Sequence, residues 1–200
     1  MLTKLKAKVQ SAIKAQAEAA NKIGLTPNAI STLGIIFAFL SALAYASGRQ
    51  NLSLAVVLLL LSGYCDMLDG ALARLCQKTT LFGGFLDSLL DRYADASIYA
   101  GIMLSGLCTL HWGLTALVGS LLVSYARARA ESADVKMEGV GLVERAERLI
   151  IIATASLIEI FWKGFLEAGV AVLAVLTNLT VIQRGYHAYK ALKKREKNES

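Results

Sequence analysis

Charged residues, proline and cysteine are all scarce in this chain of 200 residues. Asp, Glu, Lys and Arg together make up 18% of the sequence, whereas a soluble domain usually carries about 25%. Pro27 is the one proline, and hydrophobic residues reach 56%. Such an excess goes beyond what a soluble core needs and is typical of a chain surrounded by lipid. The composition therefore excludes an ordinary soluble domain and predicts a multi-pass membrane protein.

Cysteine usage excludes two further classes of protein. Cys65, Cys76 and Cys108 form no C-x-x-C pair, and their odd number fits neither a disulfide framework nor a zinc site.

The formal net charge is +6. In a soluble protein this charge would suggest a nucleic-acid partner, but in a membrane protein Lys and Arg gather on the cytoplasmic side. We therefore expect membrane lipids, and no nucleic acid, as partners.

Six apolar stretches follow one another along the chain and are candidate membrane spans. They cover residues 29–47, 52–73, 82–107, 111–130, 147–162 and 165–187. A helix needs about 20 residues to cross the hydrocarbon, and the fifth stretch is shorter than that. The six stretches predict an all-α fold with a six-helix transmembrane bundle over 29–187. Because the sequence has no repeat and no low-complexity segment, a single domain is expected to cover 1–200.

Both ends of the chain are basic. Over residues 1–24, lysines alternate with apolar residues, which predicts an amphipathic helix on the membrane surface rather than a cleavable signal. Residues 188–200 form a basic tail that is expected to be solvated, and the basic segment 127–148 falls on the same side of the six spans as the two ends. The positive-inside rule therefore places both termini in the cytoplasm of a cell-membrane protein.

Two pairs of aspartates are notable because they lie inside predicted spans. Asp66 and Asp69 are three residues apart and Asp87 and Asp91 are four apart, so each pair shares one face of a helix. Asp69 lies nine residues before Lys78, and Asp87 lies nine residues after it. At about 1.5 Å per residue, the two pairs sit at a similar distance from the connecting loop. The four carboxylates are therefore predicted to converge near the cytoplasmic face of the membrane.

Such a cluster needs positive charge to compensate it. One aspartate at the centre of a bilayer costs about 2.5–3.5 kcal/mol, so four that face lipid would cost roughly 10–14 kcal/mol. Arg74 and Arg92 are too few to neutralise them. Hard divalent cations bind carboxylate oxygens, and two such ions held by four aspartates suggest phosphoryl-type chemistry. Asp95 continues the second pair's helix face at i+4, and we interpret it as structural rather than as a ligand.

The aspartates belong to a longer pattern that carries a family resemblance. The pattern D-x-x-D-G-x-x-A-R, followed after eight residues by G-x-x-x-D-x-x-x-D, runs from Asp66 to Asp91. It resembles the signature of the CDP-alcohol phosphotransferases at every fixed position. The resemblance implies a membrane enzyme of phospholipid biosynthesis that moves a phosphoalcohol from a CDP-linked lipid onto a small alcohol. It also implies a homodimer.

The resemblance further implies roles for individual residues. Two Mg²⁺ or Mn²⁺ ions would be held by Asp66, Asp69, Asp87 and Asp91. Asp91 would also be the general base that takes the proton of the acceptor hydroxyl. The CDP-lipid would contact small and polar residues in three segments, which are Ala29, Ile30, Ser31, Thr32, Gly70, Ala73, Arg74, Thr80 and Gly83.

Basic residues between the fourth and fifth spans bear on the identity of the acceptor. Arg127 and Arg129 end the fourth span, and Arg145 and Arg148 open the fifth. Arginine suits phosphate, so these four are candidates for binding a phosphorylated alcohol. The alternative is that they are positive-inside residues paired with nearby glutamates, which are Glu131, Glu144 and Glu147.

The same segments resemble the phosphatidylinositol-phosphate synthases of actinobacteria and their archaeal counterparts. The stretches S-Y-x-x-A-R-A-E and E-R-x-E-R-L carry this resemblance, which implies inositol 1-phosphate as the acceptor and either CDP-archaeol or CDP-diacylglycerol as the donor. Ala146 stands where many relatives have proline, and Arg127 stands where lysine is common. These departures bear on the entry of the fifth helix and on the preference for the acceptor.

Other functions stay open at this point. Glycerol 3-phosphate would also explain a basic pocket, whereas serine would need less positive charge. An intramembrane prenyltransferase also binds magnesium diphosphate through aspartate pairs, but its pairs are widely separated and its spans more numerous. A divalent-cation transporter would use the aspartates as an ion path, with no need for Gly70, Ala73 and Arg74 in register with them. CMP release measured with each acceptor separates these functions.

Overall fold

The computed structural model describes residues 13–76 and 80–199, and all regular structure within these ranges is helical. The first helix, α1, is seen over 13–22, and a short 3-10 turn spans Arg49–Asn51. The other helices are α2 (Pro27–Ala46), α3 (Leu52–Leu75), α4 (Leu81–Leu104), α5 (Leu110–Glu131), α6 (Arg145–Phe161) and α7 (Phe165–Glu199). The predicted all-α fold is thereby confirmed.

Parts of the sequence predictions fall outside the described residues. These parts are 1–12, which hold most of the predicted amphipathic helix, together with 77–79 and 200. In the described part of α1, Ala17 and Ala20 are buried in an apolar cluster with residues of α2 and α3. This part of α1 thus packs against the bundle, and its place on a membrane surface stays a prediction.

Helices α2 and α4 begin in the same way, with a threonine as the N-cap. Thr26 Oγ1 accepts a hydrogen bond from Ala29 N at 3.2 Å, and Pro27 stands in the first turn, where its missing N–H leaves no helical bond unmade. Thr80 Oγ1 accepts a hydrogen bond from Gly83 N at 2.9 Å. Both helix starts face the end of α3 across one cavity, so they define the end of the bundle where the functional residues gather.

Three helical segments are long and apolar enough to cross a membrane. They are α2, Arg49–Leu75 and Phe165–Lys197. Large apolar side chains point outwards along them, with Leu43 64% and Ile182 67% exposed, as suits contact with lipid. The chain is therefore a membrane protein.

Within the described part of the chain, helices α4, α5 and α6 do not combine the length and the apolar character that mark these three segments as spans. Helix α4 carries three aspartates and an arginine, α5 ends in a charged turn, and α6 has 17 residues. The predicted count of six spans is therefore not confirmed and stays a prediction.

Two buried tyrosines form hydrogen bonds between helices of the bundle. Tyr45 and Tyr99 belong to the main apolar core, where residues of all the helices from α2 to α7 meet. The Tyr45 hydroxyl lies 2.8 Å from Ser156 Oγ, and the Tyr99 hydroxyl lies 3.2 Å from Ser120 Oγ. Each polar tip therefore has a partner inside the core. These contacts hold α6 against α2 and α5 against α4.

A buried glutamate ties the far end of α6 to two neighbouring turns. Glu159 is 2% exposed. Its Oε1 lies 3.5 Å from Arg49 Nη1, and its Oε2 accepts a hydrogen bond from Leu166 N at 3.1 Å. Arg49 also donates to the Ile160 carbonyl at 3.2 Å. One carboxylate thus links the turn before α3 to the start of α7.

Replacing Glu159 with alanine is expected to lower the free energy of unfolding by about 1–3 kcal/mol, because the buried Leu166 N–H loses its acceptor. Thermal unfolding of the detergent-purified protein measures this loss. Glu138→Gln is the control, since Glu138 is exposed in the loop before α6. Equal unfolding midpoints for the two variants would show that the buried carboxylate contributes nothing to stability.

The end of the chain differs from the predicted solvated tail. Helix α7 continues without a break through 188–199, and Ala188 packs against an apolar cluster at the end of α5. Arg195 donates to the carbonyl oxygens of Ala133 at 2.9 Å and Asp134 at 2.5 Å, just beyond α5. Carbonyls at a helix end lack helical partners, and a basic side chain suits them. This segment is therefore part of the fold.

Candidate active site

Three carboxylates, two from α3 and one from α4, meet beside α2, against which both helices pack. One oxygen each from Asp66, Asp69 and Asp87 lie within 4.8 Å of one another. The spacing within each pair turns its members to one helix face, and α2 packs against both helices and holds the two faces near each other. Asp69 is 6% exposed and the other two are half-buried. We call these three carboxylates the aspartate cluster.

Helix α2 fixes the orientation of one member of the aspartate cluster. Ser31 Oγ lies 2.6 Å from Asp69 Oδ2 and hydrogen-bonds to it. A hydrogen bond to a charged acceptor is among the stronger ones, so it holds the Asp69 carboxylate in place. Ser31 was implied as a CDP-lipid contact, and the structure places it directly against a candidate metal ligand.

Asp91 lies beside the aspartate cluster and is close to two arginines. It lines the same small cavity as the aspartate cluster, but its Oδ1 lies 2.7 Å from Arg145 Nη1. The same Nη1 lies 2.9 Å from Asp66 Oδ2. A second arginine, Arg92, is 3.8 Å from Asp91 Oδ2. The four predicted carboxylates are therefore neighbours, with a guanidinium inserted between two of them.

The aspartate cluster fits a hard divalent ion. Its members offer carboxylate oxygens, which are the ligands that Mg²⁺ and Mn²⁺ prefer, and their spacing lets three residues reach one ion. The guanidinium of Arg145 stands between Asp66 and Asp91, which shows that these carboxylates accommodate a cation. The charge and the chemistry of the donors therefore agree with the predicted metal site.

A cavity of about 310 Å³ opens beside the cluster, between the starts of α2 and α4 and the end of α3. Six residues of the set predicted to bind the CDP-lipid line it, and they are Ser31, Gly70, Ala73, Arg74, Thr80 and Gly83. Pro27, Asn28 and Gly84 line it too, while Asp69 and Asp87 connect it to the aspartate cluster. We call it the Arg74 cavity.

The other three residues of that set do not line the Arg74 cavity. Ile30 is 4% exposed and packs in an apolar cluster, and Ala29 and Thr32 are exposed on other faces of α2. Four consecutive residues are spread over about 300° around the helix axis, so they cannot all share one face. Ser31 faces the cavity, and Asn28, three residues earlier, shares its face.

A second cavity, of about 420 Å³, lies on the other side of Asp91. Its basic lining residues are Arg92, Arg127, Arg145, Arg148 and Arg184, and its acidic ones are Asp91, Asp95, Glu131 and Glu144. We call it the arginine cavity. It brings together three of the four arginines predicted to bind the acceptor.

Arg129, the fourth predicted arginine, lies outside the arginine cavity. It is exposed and donates to Ser132 Oγ at 3.1 Å. It stands two positions after Arg127, which turns its side chain by about 200° around the helix. Its position separates it from the other three arginines that were predicted to bind the acceptor.

Carboxylates neutralise part of the positive charge in the arginine cavity. Arg127 Nε lies 2.8 Å from Glu131 Oε1, which is the pairing that the sequence offered as an alternative to phosphate binding. Arg148 Nη2 lies 2.7 Å from Asp95 Oδ2, and Arg145 Nε lies 3.3 Å from Asp95 Oδ1. Asp95, 7% exposed, therefore holds two of the arginines.

Arg184 is the member of this cavity that the sequence interpretation missed. Helix α7 carries it, and it is 2% exposed. Its Nε donates to the Val140 carbonyl at 2.9 Å, and its Nη1 donates to the Val123 carbonyl at 2.7 Å. No carboxylate among the described residues lies within ion-pair distance of it. A lone arginine in the apolar stretch 165–187 was the available signal, because such a residue is a functional candidate by default.

A third cavity, of about 570 Å³, lies between α1 and α3. Its lining is mostly apolar and comprises Ile13, Lys14, Asp66, Met67, Gly70, Ala71, Arg74 and Leu75. Gly70 and Arg74 also line the Arg74 cavity. A ligand with a charged head and apolar chains would therefore find adjoining surfaces for both parts.

Comparison with known proteins agrees with this arrangement. The family model for CDP-alcohol phosphatidyltransferase matches residues 24–182. An archaetidylinositol phosphate synthase from Pyrococcus horikoshii is 41% identical over 194 residues, which cover 96% of this chain and 98% of that protein.

Two solved structures of the phosphatidylinositol phosphate synthase from Mycobacterium tuberculosis also resemble the chain, one with CDP-DAG bound and one in complex with manganese and citrate. Both are 31% identical with a TM-score of 0.78 and cover 88% of this chain, with 93% and 88% of their own chains matched. The family-model match over residues 24–182 contains the aspartate cluster, the Arg74 cavity and most of the arginine cavity.

Proposed function

We propose, since this chain belongs to the CDP-alcohol phosphatidyltransferase family, that it transfers the phosphatidyl-type group of a CDP-lipid to inositol 1-phosphate and releases CMP. The observation that carries the proposal is that the carboxylates lie between the Arg74 cavity and the arginine cavity. Asp69 and Asp87 face the Arg74 cavity, and Asp91 faces the arginine cavity. A CDP group held at Arg74 and an anionic acceptor held by the arginines would therefore meet at the carboxylates.

The reaction would be a displacement at phosphorus. The acceptor oxygen forms a bond to the phosphorus that carries the lipid, and the bond from that phosphorus to the CMP oxygen breaks. CMP leaves with the electron pair of the broken bond, and Asp91, on the acceptor side, takes the hydroxyl proton. Two Mg²⁺ or Mn²⁺ ions, held by Asp66, Asp69, Asp87 and Asp91, would supply charge neutralisation for the diphosphate.

The charge of the arginine cavity favours a phosphorylated acceptor. Arg184 has no carboxylate partner among the described residues, and Arg145 and Arg148 share Asp95. A phosphate monoester carries close to two negative charges at neutral pH, and arginine binds phosphate in a bidentate geometry. Serine would leave this charge uncompensated. The names of the relatives support inositol phosphate over glycerol 3-phosphate.

The cavity between α1 and α3 supports a lipid donor rather than a soluble CDP-alcohol. It places apolar side chains beside Gly70 and Arg74, where the lipid end of a bound CDP-lipid would emerge. The donor would be CDP-archaeol or CDP-diacylglycerol. CDP-DAG is bound in one mycobacterial structure, whereas the Pyrococcus horikoshii relative is an archaetidylinositol phosphate synthase.

The proposal includes a topology. Helices α2 to α7 would form six spans of a homodimeric cell-membrane protein, with both termini and the site on the cytoplasmic side. The charged residues of α4 support this arrangement, because they line internal cavities instead of facing lipid. The basic end of α7 supports the orientation.

CMP release from purified protein is the test. CDP-archaeol and CDP-diacylglycerol are supplied separately with Mg²⁺ or Mn²⁺, and inositol 1-phosphate, glycerol 3-phosphate and serine are tried one at a time. Release is expected with inositol 1-phosphate and is expected to stop when a chelator removes the metal. Release with another acceptor would keep the metal site and discard inositol 1-phosphate. No release from folded protein under any of these conditions would reject the enzyme.

Arg184→Gln is expected to raise KM for inositol 1-phosphate by at least tenfold, since a hydrogen bond to a charged group contributes about 1.5–3 kcal/mol. The matched control is Arg129→Gln, which removes the same charge from an exposed position outside the cavity. An equal rise in KM for the two variants would indicate a general effect of charge and would contradict a specific acceptor site at Arg184.

A further inference from the structure

One guanidinium contacts carboxylates on both sides of it. Arg145 Nη1 lies 2.9 Å from Asp66 Oδ2 and 2.7 Å from Asp91 Oδ1, while its Nε lies 3.3 Å from Asp95 Oδ1. The side chain is 19% exposed. It lines both the small cavity of the aspartate cluster and the arginine cavity. Arg145 therefore stands at the boundary between the candidate metal ligands and the candidate acceptor site.

The Nε and Nη1 atoms of Arg145 differ in their hydrogen bonding. Nε forms a hydrogen bond with Asp95, whereas Nη1 is buried and makes no hydrogen bond of acceptable geometry despite its two short contacts. Its contact with Asp66 and Asp91 is thus one of charge. A divalent ion would interact more strongly with the same two carboxylates, because it carries twice the charge and does not require the directional geometry of an N–H donor.

We propose that Arg145 and a divalent ion compete for Asp66 and Asp91, and that Asp95 retains the guanidinium when the ion binds. The inference rests on the proposed metal site and adds a role for Arg145 that the family comparison does not assign. Before metal binding, the arginine keeps the carboxylates from repelling one another. Metal entry then moves one positive charge out of the aspartate cluster and towards the arginine cavity.

The backbone around Arg145 is suited to a movement of the side chain alone. Arg145 is the first residue of α6, and the helix start is closed by a capping box in which Glu147 Oε2 accepts a hydrogen bond from Glu144 N at 2.9 Å. Asp95 is already anchored by Arg148 at 2.7 Å. The helix end and the receiving carboxylate are thus fixed, and the long arginine side chain is the part that shifts.

Mn²⁺ affinity, measured from the EPR signal of the free ion with no CDP-lipid or acceptor present, tests the proposal. Arg145→Gln removes the competitor and is expected to bind Mn²⁺ about 10- to 100-fold more tightly than the wild-type chain. Arg145→Lys keeps the charge but cannot reach all three carboxylates, so an intermediate affinity is expected. It also provides a readout if the glutamine variant does not fold.

Arg92 supplies the matched control. Its Nη1 lies 3.8 Å from Asp91 Oδ2 and its side chain is 35% exposed, so Arg92→Gln removes a nearby charge without removing the bridge. We expect its Mn²⁺ affinity to stay within about threefold of wild type, because solvent screens it. An equal gain for Arg92→Gln and Arg145→Gln would overturn the proposal in favour of a general effect of charge. An unchanged affinity in Arg145→Gln would overturn it as well.

Asp95 provides a second, independent readout. Asp95→Asn is expected to weaken Mn²⁺ binding by about tenfold when Arg145 is present, because the displaced guanidinium loses its receiving charge. The same change in the Arg145→Gln background is expected to weaken binding by less than about threefold. Equal losses in the two backgrounds would contradict the exchange. An absence of Mn²⁺ binding in every folded variant would instead reject the proposed metal site.

Discussion

Asp91→Asn is expected to slow CMP release by about 10²–10⁴-fold, which is the contribution of a positioned general base. Asparagine keeps the size of the side chain but cannot take a proton from the acceptor hydroxyl. Asp91 faces the arginine cavity on one side and the aspartate cluster on the other. It therefore lies between a bound acceptor and the remaining carboxylates. The measurement is kcat for CMP release at saturating CDP-lipid, inositol 1-phosphate and Mn²⁺.

Two further variants separate proton transfer from metal binding. Asp87 belongs to the aspartate cluster but does not line the arginine cavity, so activity lost in Asp87→Asn should recover partly as Mn²⁺ is raised. Activity lost in Asp91→Asn should not recover, because the base itself is missing. Glu138→Gln removes an exposed carboxylate and controls for charge. Full recovery of Asp91→Asn at high Mn²⁺ would contradict its role as the base.

Gly101→Leu is expected to leave no folded protein in detergent, and Gly101→Ala to lower the midpoint of thermal unfolding. Helix α4 touches α2 at this glycine, where an added Cβ would lie 2.3 Å from the Ala42 carbonyl oxygen and 2.9 Å from its carbonyl carbon. Both atoms are backbone, so they cannot turn aside as a side chain would. Overpacking typically costs about 1–3 kcal/mol, and a leucine adds far more volume than one methyl group.

The effect of Gly101 is expected to reach the site, since α2 carries Ser31 and α4 carries Asp87. Gly185→Ala is the matched control, because no atom outside its own helix lies within 4 Å of the added Cβ. Alanine is favoured over glycine in a helix by about 0.5–1 kcal/mol, so that variant should be as stable as wild type or slightly more stable. A wild-type unfolding midpoint for Gly101→Ala would show that the two helices tolerate separation.

The aspartate cluster was predictable from sequence because its geometry is set over short distances. Spacings of three and four residues turn side chains to one helix face, and a short connection keeps the two pairs at a similar distance from the end of the bundle. The family resemblance implied that Gly70, Ala73 and Arg74 contact the CDP-lipid, and all three line the Arg74 cavity. The resemblance also implied the run 29–32, but only Ser31 of that run lines the cavity, because a helix turns four consecutive residues to different faces.

The rest of the site depends on contacts between distant parts of the chain. Arg145 reaches Asp91 from a helix that starts 54 residues later, and nothing in either segment specifies that pairing. Arg184 lies farther along still and enters the cavity only because α7 packs against α5. Choosing Arg127 over Arg129 required the rotation of α5 about its axis, which a helix with apolar residues on most sides does not reveal.

The ends of the bundle were also beyond reach from composition alone. Residues 188–199 read as a solvated basic tail because their lysines dominate the sequence. The packing of the end of α7 against the region around the end of α5 depends on a few small residues, such as Ala188. It also depends on Arg195, whose hydrogen-bond acceptors are main-chain carbonyls. The number of spans could not be read from composition for a related reason, since the polar residues of α4 are acceptable in a membrane only if they face an internal cavity.

The way Arg184 is held has a consequence for how this cavity can change during evolution. Its two anchors are the carbonyls of Val123 and Val140, and every amino acid supplies that group. Mutational drift at those two positions can therefore alter the side chains without releasing the arginine. An alignment would show conservation at 184 and variation at its anchors, so the interaction that orients the residue would leave no trace of covariation.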